Sequence, residues 1–407
     1  MAKVISKITI ILYLSLAGFP LMKANFNSIF IILCSVFAIY DFIKNKKKIV
    51  FNTKLFFLTS VFWFFLLYEI ISLDFNSKTI LLHLPFLIFP LLFIFKPDYI
   101  NNKVKEYSLL VFQVSVVCQT IIYLIVFLKK FNIRQIFHIN NYNIPLFRTY
   151  VLENTFVEIH PTYFSAFLLF SFTISLFFEL KRTSPKHLIL HLTNIFFTSF
   201  FILVFISKII IITFVFTLFI FFLFKFKNLK RKKLALIIFS LSAFLLIFSF
   251  SRPLKERFNE IRTEINKPLV GDYHNSVNIR VVIIKCSFNL LKKLPLFGYG
   301  QDLQKELNYC YKNKNNSNFY TLATYNTHNY YFNLILYGGW LFLLLFLLYF
   351  YYLFSKENYP LFIVIFIIQI LIINVTENFF SRHHGTVLFI YFISLFLTPK
   401  KMLKNYT

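Results

Sequence analysis

The stretch Leu341-Phe-Leu-Leu-Leu-Phe-Leu-Leu-Tyr-Phe-Tyr-Tyr-Leu-Phe354 carries no charge, and its side chains hold no polar atom beyond the tyrosine hydroxyls. Such runs recur along all 407 residues, of which 58% are hydrophobic, 14% are charged and 60 are phenylalanine. A soluble domain carries about 25% charged residues, and no soluble core has room for this much apolar surface. Lipid does. There the backbone must satisfy its own hydrogen bonds, which leaves helices as the spanning element for runs of this length. The composition excludes a soluble enzyme and predicts an all-α polytopic membrane protein.

At about 20 apolar residues per crossing, the runs place about twelve transmembrane helices, at roughly 4–22, 26–43, 55–73, 79–96, 107–128, 162–180, 187–206, 209–225, 234–250, 333–354, 359–377 and 385–398. His187 to Phe224 is nearly twice a bilayer thickness, so a tight turn at Ser207-Lys208 divides it. Lys3 and Lys7 followed by Ile8 to Phe19 resemble a signal peptide. No small-residue cleavage site follows, and the segment reads as the first transmembrane helix.

Basic residues orient the bundle. Lys44, Lys46 to Lys48, Lys54, Lys96, Lys103, Lys105, Lys181, Arg182, Lys186 and the block Lys225 to Lys233 lie on one set of connections. The opposite short connections hold little more than Lys23, Lys78, Lys208 and Arg382. The positive-inside rule makes the first set cytoplasmic, puts both termini inside and turns two longer segments, about 129–161 and 251–332, outward. Three parts follow: an N-terminal transmembrane bundle over 1–250, a large extracytoplasmic loop with amphipathic helices over 251–332, and C-terminal helices with a short cytoplasmic tail over 333–407. The net charge of +27 reads as anchoring to lipid headgroups rather than as a nucleic-acid surface, because Lys and Arg fall between apolar runs. Cys34 and Cys118 lie inside apolar runs, whereas Cys286 and Cys310 share the outward loop, where they can pair.

Candidate working residues collect at the outward helix ends. Asn275 to Leu294 reads as an amphipathic helix with Asn278, Lys285, Asn289, Lys292 and Lys293 on one side. Arg280 falls on the other side, with Val277, Ile284, Ser287 and Leu291. An arginine there either snorkels to a lipid phosphate or is aimed into a cavity to hold an anion, and its planar fork suits a diphosphate. His328 lies where the loop re-enters the membrane. His160, in Glu158-Ile-His-Pro-Thr-Tyr163, holds the equivalent boundary of the sixth helix, and Lys208 caps the hairpin between the seventh and eighth. Glu377, Arg382, His383 and His384 fill the last outward turn. A lone interfacial histidine is usually structural; the convergence of His, Arg, Lys and Glu at one depth is the signal. Four of the seven glycines fall in Pro295-Leu-Phe-Gly-Tyr-Gly300 or at Gly338-Gly339, where glycine serves positive φ, close backbone approach or helix packing. No Walker loop, dinucleotide fingerprint, HExxH or Asp-x-Asp pair occurs, and adjacent histidines seldom point to one centre, so neither a metal nor a cofactor is expected.

Arg280 and its apolar helix, Leu294-Pro-Leu-Phe-Gly-Tyr-Gly300, Thr327-His-Asn-Tyr-Tyr-Phe-Asn-Leu with Gly338-Gly339, and Thr376-Glu-Asn-Phe-Phe-Ser-Arg-His-His-Gly385 follow one another in that order. The order and the membrane placement resemble the signature region of bacterial O-antigen ligases and Wzy-type O-antigen polymerases, over about 275–390. The resemblance implies a metal-independent glycosyltransferase of the bacterial inner membrane. Its donor is a glycan on undecaprenyl diphosphate, and its acceptor a sugar hydroxyl on lipid A–core or on another lipid-linked chain. By position, Arg280 matches the family's loop arginine that engages the donor diphosphate, and His328 the loop histidine that assists the acceptor. Lys208 stands where many members carry arginine after serine, which keeps the charge and loses the bidentate geometry.

A departing diphosphate develops negative charge that Arg280, Lys208 and Arg382 are placed to stabilise. The attacking hydroxyl must lose a proton, for which His328 is the first candidate and His160 the second. Glu158 or Glu377 would orient the imidazole or the acceptor sugar, and Tyr325, Tyr330 and Tyr331 either stack on sugar rings or belong to the aromatic belt. A polymerase shares scaffold and donor with a ligase. The rival from another class is a lipid-glycan flippase or transporter, which tends to put ionisable residues near the midplane on repeated, broken helices. His83 is the only ionisable residue placed well inside a span, and no internal repeat is evident.

Overall fold

The computed structural model describes residues 2–44, 53–72, 75–94, 96, 100–138, 145–178, 185–225, 259, 262–263, 276–314, 324–356 and 359–396. Among these the regular elements are all helical. The first half runs α1 (Ala2–Leu16), α2 (Ala24–Lys44), α3 (Thr53–Ile71), α4 (Ser77–His83), α5 (Pro85–Ile94), α6 (Asn102–Leu128), α7 (Leu146–Asn154), α8 (Pro161–Phe178), α9 (Pro185–Phe205) and α10 (Lys208–Lys225). The second half runs α11 (Ser276–Leu291), α12 (Leu303–Lys314), α13 (Tyr330–Lys356), α14 (Leu361–Ile373) and α15 (His383–Leu395).

Among the described residues five segments, Ala24–Lys44, Thr53–Ile71, Ser77–Ile94, Asn102–Leu128 and Tyr330–Ser355, are long and apolar enough to cross a membrane. Shorter apolar helices accompany them at Ser6–Leu16, Pro161–Phe177, Ile189–Phe205, Lys208–Phe221, Leu361–Ile373 and His383–Leu395. The chain is a multi-pass membrane protein. The crossing expected at 234–250 lies outside the described residues, as does most of 251–275. The turn expected at Ser207-Lys208 is present: α9 ends at Phe205 and α10 starts at Lys208. Between them Ile206 takes φ +45° at 1% exposure, a left-handed conformation that a β-branched residue holds only when packing over-determines it. The crossing expected at 79–96 is present as Ser77–Ile94, with a step in its hydrogen-bond ladder at Leu84, because Pro85 has no N–H to continue α4 and opens α5 at its first position.

Phenylalanine does the packing. Phe392 of α15 lies 4.9 Å from Phe112 of α6 and 4.6 Å from Phe170 of α8, ring centre to ring centre, and Phe170 meets Phe366 of α14 at 4.1 Å. Between these layers Gln369 of α14 donates to Thr173 of α8 (2.7 Å) and Thr217 of α10 (2.8 Å). In a bilayer, where neighbouring lipid is as apolar as a neighbouring helix, such bonds contribute about 0.6–2 kcal/mol each.

A second, smaller core belongs to the large loop. Ile279, Val282, Ile283 and Leu290 of α11 pack on Leu303, Leu307 and Tyr311 of α12, and the disulfide Cys286–Cys310 ties the two helices together. Arg280 thus sits on a stapled helical pair, with its side chain 40% exposed.

The glycines join this cap to the bundle. α13 breaks at Gly338 (φ −121°, ψ 16°) and Gly339 (φ 72°, ψ −175°), and the turn Pro295–Gly300 inserts into the break. Tyr299 N–H donates to Leu336 O at 2.7 Å, and the Tyr68 hydroxyl lies 2.8 Å from Phe297 O and 2.9 Å from Tyr337 O. A Cβ on Gly298 (φ +75°) would stand 2.4 Å from Tyr337 O, and one on Gly339 2.5 Å from Leu296 O. Of the readings open for these glycines, positive φ and close backbone approach are the operative ones. Gly298→Ala or Gly339→Ala should cost ~1–2 kcal/mol for the left-handed backbone alone, with the backbone clash added. Either variant should melt well below the parent in detergent, while Gly18→Ala, at an ordinary φ, should shift melting far less.

Candidate functional site

The site is assembled around one buried carboxylate. Asn374 to Asn378 forms a turn after α14, and this turn is laced to the irregular segment that leads into α13. Tyr330 N–H donates to Asn374 O (2.9 Å), Asn329 Nδ2 to Val375 O (2.9 Å) and Asn378 Nδ2 to Thr327 Oγ1 (3.0 Å). Tyr163 at the start of α8 stacks on Phe379 at 5.1 Å and donates its hydroxyl to Asn378 O at 2.9 Å. Three separate parts of the chain are therefore held at one point: the α8 start, the return of the large loop, and the turn before α15.

Within this frame Glu377, with its side chain 8% exposed, accepts from Arg280 at 3.2 Å, Nη2 to Oε1. His328 Nδ1 stands 3.9 Å from Glu377 Oε2, too far for a hydrogen bond and close enough for strong electrostatic coupling in a recess this buried. Nδ1 is itself buried and has no hydrogen-bond partner among the described residues. The His328 side chain is 31% exposed, so its other edge is open to a reactant. Its backbone is in the left-handed region (φ +44°), held there by its N–H donating to Asn326 Oδ1 at 2.9 Å. Histidine visits this region more readily than most residues, and strain of this kind collects at functional positions.

Burial alone pushes the Glu377 carboxyl up. The His328 imidazole and the Arg280 guanidinium, with a further pull from His160, more than reverse this and hold it below the ordinary carboxylate value. His160 moves the other way from the usual charged histidine. Crowding by the protein lowers it first, Arg148 and then Arg382 and His328 lower it further against the pull of Glu377, and the sum takes it from 6.5 to about 4. The His160 side chain is itself exposed, so what the geometry secures is the direction: its cationic neighbours disfavour a proton on it.

Five sequence-predicted residues thus meet electrostatically: Arg280, His328, Glu377, His160 and Arg382. Lys208 opens α10, half-buried, behind the strained Ile206. Glu158 is exposed, two residues before His160. His383 and His384 diverge, with ring planes at 84°. His383 bonds the Asn27 amide at 3.2 Å, and His384 lies beside Phe167. Of the tyrosines, Tyr330 is 2% exposed and wedged between Phe346 and Phe380, and Tyr331 donates to Leu371 O at 2.7 Å. Both are packing residues in this structure.

Two participants escape a reading of the sequence. Arg148, on α7, reaches 3.5 Å from the Thr162 hydroxyl and acts on His160. Its only signal is a basic residue in the first outward segment. Glu69, fully buried at the end of α3, accepts from Gln301 Nε2 (2.6 Å), from the Tyr337 hydroxyl and from Asn76 N–H (2.7 Å). Lys105, 5% exposed in the first turn of α6, is a second buried ionisable group at a helix end.

His160 carries a folded-state pKa below its unfolded value, so its neutral form contributes stability that is present above about pH 6.5 and lost as pH falls towards 4. Glu377, also depressed, loses its contribution in the same direction at lower pH. His160→Gln cannot take up that proton. Thermal unfolding followed from pH 7 to pH 4 should therefore fall less steeply in this variant than in the parent.

No curated protein matches the chain. A family model described as O-Antigen ligase matches residues 193–347, the part that contains Lys208, Arg280, the Gly298–Gly300 turn and His328. Over that region the chain resembles the O-antigen ligase family, as the order of its motifs predicts.

Proposed function

We propose that the chain is a metal-independent glycosyltransferase that moves a glycan from undecaprenyl diphosphate to a sugar hydroxyl of lipid A–core at the extracytoplasmic face of the bacterial inner membrane. The observation that carries this reading is the contact of Arg280 and His328 with the two oxygens of one buried carboxylate, Glu377. Glu377 orients Nδ1–H of His328 and leaves Nε2 to take the acceptor's proton as the hydroxyl attacks the anomeric carbon. Distances of this kind tighten once the reactant is bound. Arg280 has surface open beside its ion pair and is the first ligand for the diphosphate. Arg382 and Lys208 add charge where negative charge develops on the leaving oxygen. His160, on which a proton is disfavoured, is a hydrogen-bonding group for the acceptor or donor sugar rather than the base.

The orientation has a support independent of the charge count. The Cys286–Cys310 disulfide lies in the large loop, and disulfides persist outside the reducing cytoplasm. Both termini are then cytoplasmic.

His328→Ala and Arg280→Ala should each abolish glycan transfer while the protein remains inserted and abundant, and Glu377→Gln should lower kcat by about 10²-fold or more. A chelator should leave transfer by the purified protein unchanged. Normal surface polysaccharide in a well-expressed His328→Ala strain would overturn the mechanism. A polymerase uses the same donor and scaffold, so the deletion phenotype separates the two. Loss of a ligase leaves lipid-linked polymer accumulating without O-chain on lipid A–core, whereas loss of a polymerase leaves single-repeat caps. Transfer without ATP or an ion gradient separates either from a flippase.

A further inference from the structure

Beside the cluster, on the far side of the His328 segment, lies a cavity of about 200 Å³ that the mechanism does not use. Its walls come from α4 (Thr79, His83), the Gly300–Gln304 turn, and the first half of α13 (Asn333, Tyr337), with Asn326 and Ser381 also lining it. Those last two residues are the neighbours of the working groups. Asn326 holds the His328 backbone N–H, and Ser381 precedes Arg382.

The lining sets the apolar Phe65, Leu303 and Leu307 beside the polar Thr79, Gln304, Asn326, Asn333 and Ser381. His83 is 4% exposed, and its Nδ1 lies 2.8 Å from Thr79 O. A carbonyl only accepts, so Nδ1 carries the proton and Nε2 is an acceptor. Nε2 is walled off by the protein itself, so His83 shapes the cavity rather than bonding its contents. The ring is stacked on Phe65 at 3.6 Å, which fixes its plane. The Asn333 amide and the Ser381 hydroxyl also line the space without making a hydrogen bond to another described residue. Both are half-buried, and an amide and a hydroxyl beside an apolar wall suit a ligand that is polar at its rim and apolar on its face. The cavity holds no cationic side chain, which argues against a phosphate. Its size suits one small ring.

We propose that this cavity is a subsite for a single sugar ring of the substrates, with the Asn333 amide and the Ser381 hydroxyl bonding ring hydroxyls. The proposal rests on the glycosyl-transfer reading. A ring bound there lies against Asn326, and so bears on the backbone that holds His328.

Asn333→Leu fills the space with a strong helix former, so α13 should persist. With purified protein, lipid-linked glycan donor and lipid A–core acceptor, it should raise KM for one substrate at least tenfold, while His328→Ala in the same preparation transfers nothing. A raised KM for the acceptor places the acceptor sugar in the cavity, and a raised KM for the donor places the donor's first sugar there. A panel of methyl glycosides covering hexosides, N-acetylhexosaminides, 6-deoxyhexosides and heptosides gives a second readout. At least one should raise the melting temperature of the parent and not of Asn333→Leu. Unchanged KM values in Asn333→Leu, or no stabilisation by any glycoside, would overturn the subsite and leave the transferase standing. Undiminished transfer by His328→Ala would remove the underlying reading as well.

Discussion

A carboxylate with almost no access to water is expensive unless it is paired, and Glu377 is such a group. Its two oxygens face residues that are far away in sequence: Arg280 on the large loop and His328 at that loop's return. The need to compensate one buried charge thus decides where two other segments lie. It also sets their electrostatics. Arginine and histidine together outweigh the desolvation of the carboxyl, and the same positive surroundings discourage a proton on His160. The arrangement leaves one face of the imidazole and part of the guanidinium available to reactants. Ion pairing alone would not need that opening; a transferase would.

The loop that carries Arg280 is held by devices of three different kinds. Apolar packing and a disulfide make α11 and α12 one unit. Backbone geometry then docks that unit, since Gly298 and Gly339 bring two stretches of main chain closer than any Cβ permits. A polar cluster around Glu69 fastens the same junction from the side of α3. The chain uses glycine sparingly, and it spends two of its seven on this contact. Displacing the turn would move Arg280 away from Glu377, so the rigidity of the docking and the charge pairing of the site are one problem solved at two places.

Much of the site was legible before any coordinates. Arg280 betrayed itself by standing on the wrong side of its own helix, and an arginine in that position needs a partner. His328, His160, Glu377 and Arg382 were legible through topology, because the period of the apolar runs puts their helix ends at one depth. Arg148 and Glu69 were not. The first looks like any basic residue in an outward segment, and the second sits at a span end where a carboxylate commonly meets water. Tyr330 and Tyr331 misled, since an outward-lying tyrosine reads alike whether it faces a sugar or a neighbouring helix.

The sequence by itself determined that this is a membrane protein of many helices, that its polar residues gather at helix ends, and the family it resembles. These follow from composition, from charge asymmetry and from motif order, all of which are additive along the chain. Tertiary structure alone decided that Glu377 is the shared partner of Arg280 and His328, that cationic groups gather around His160, and that Gly298 meets Gly339. Each of these is a contact between residues tens to hundreds of positions apart. The energy of such a contact depends on distance and burial, and neither is written in local order.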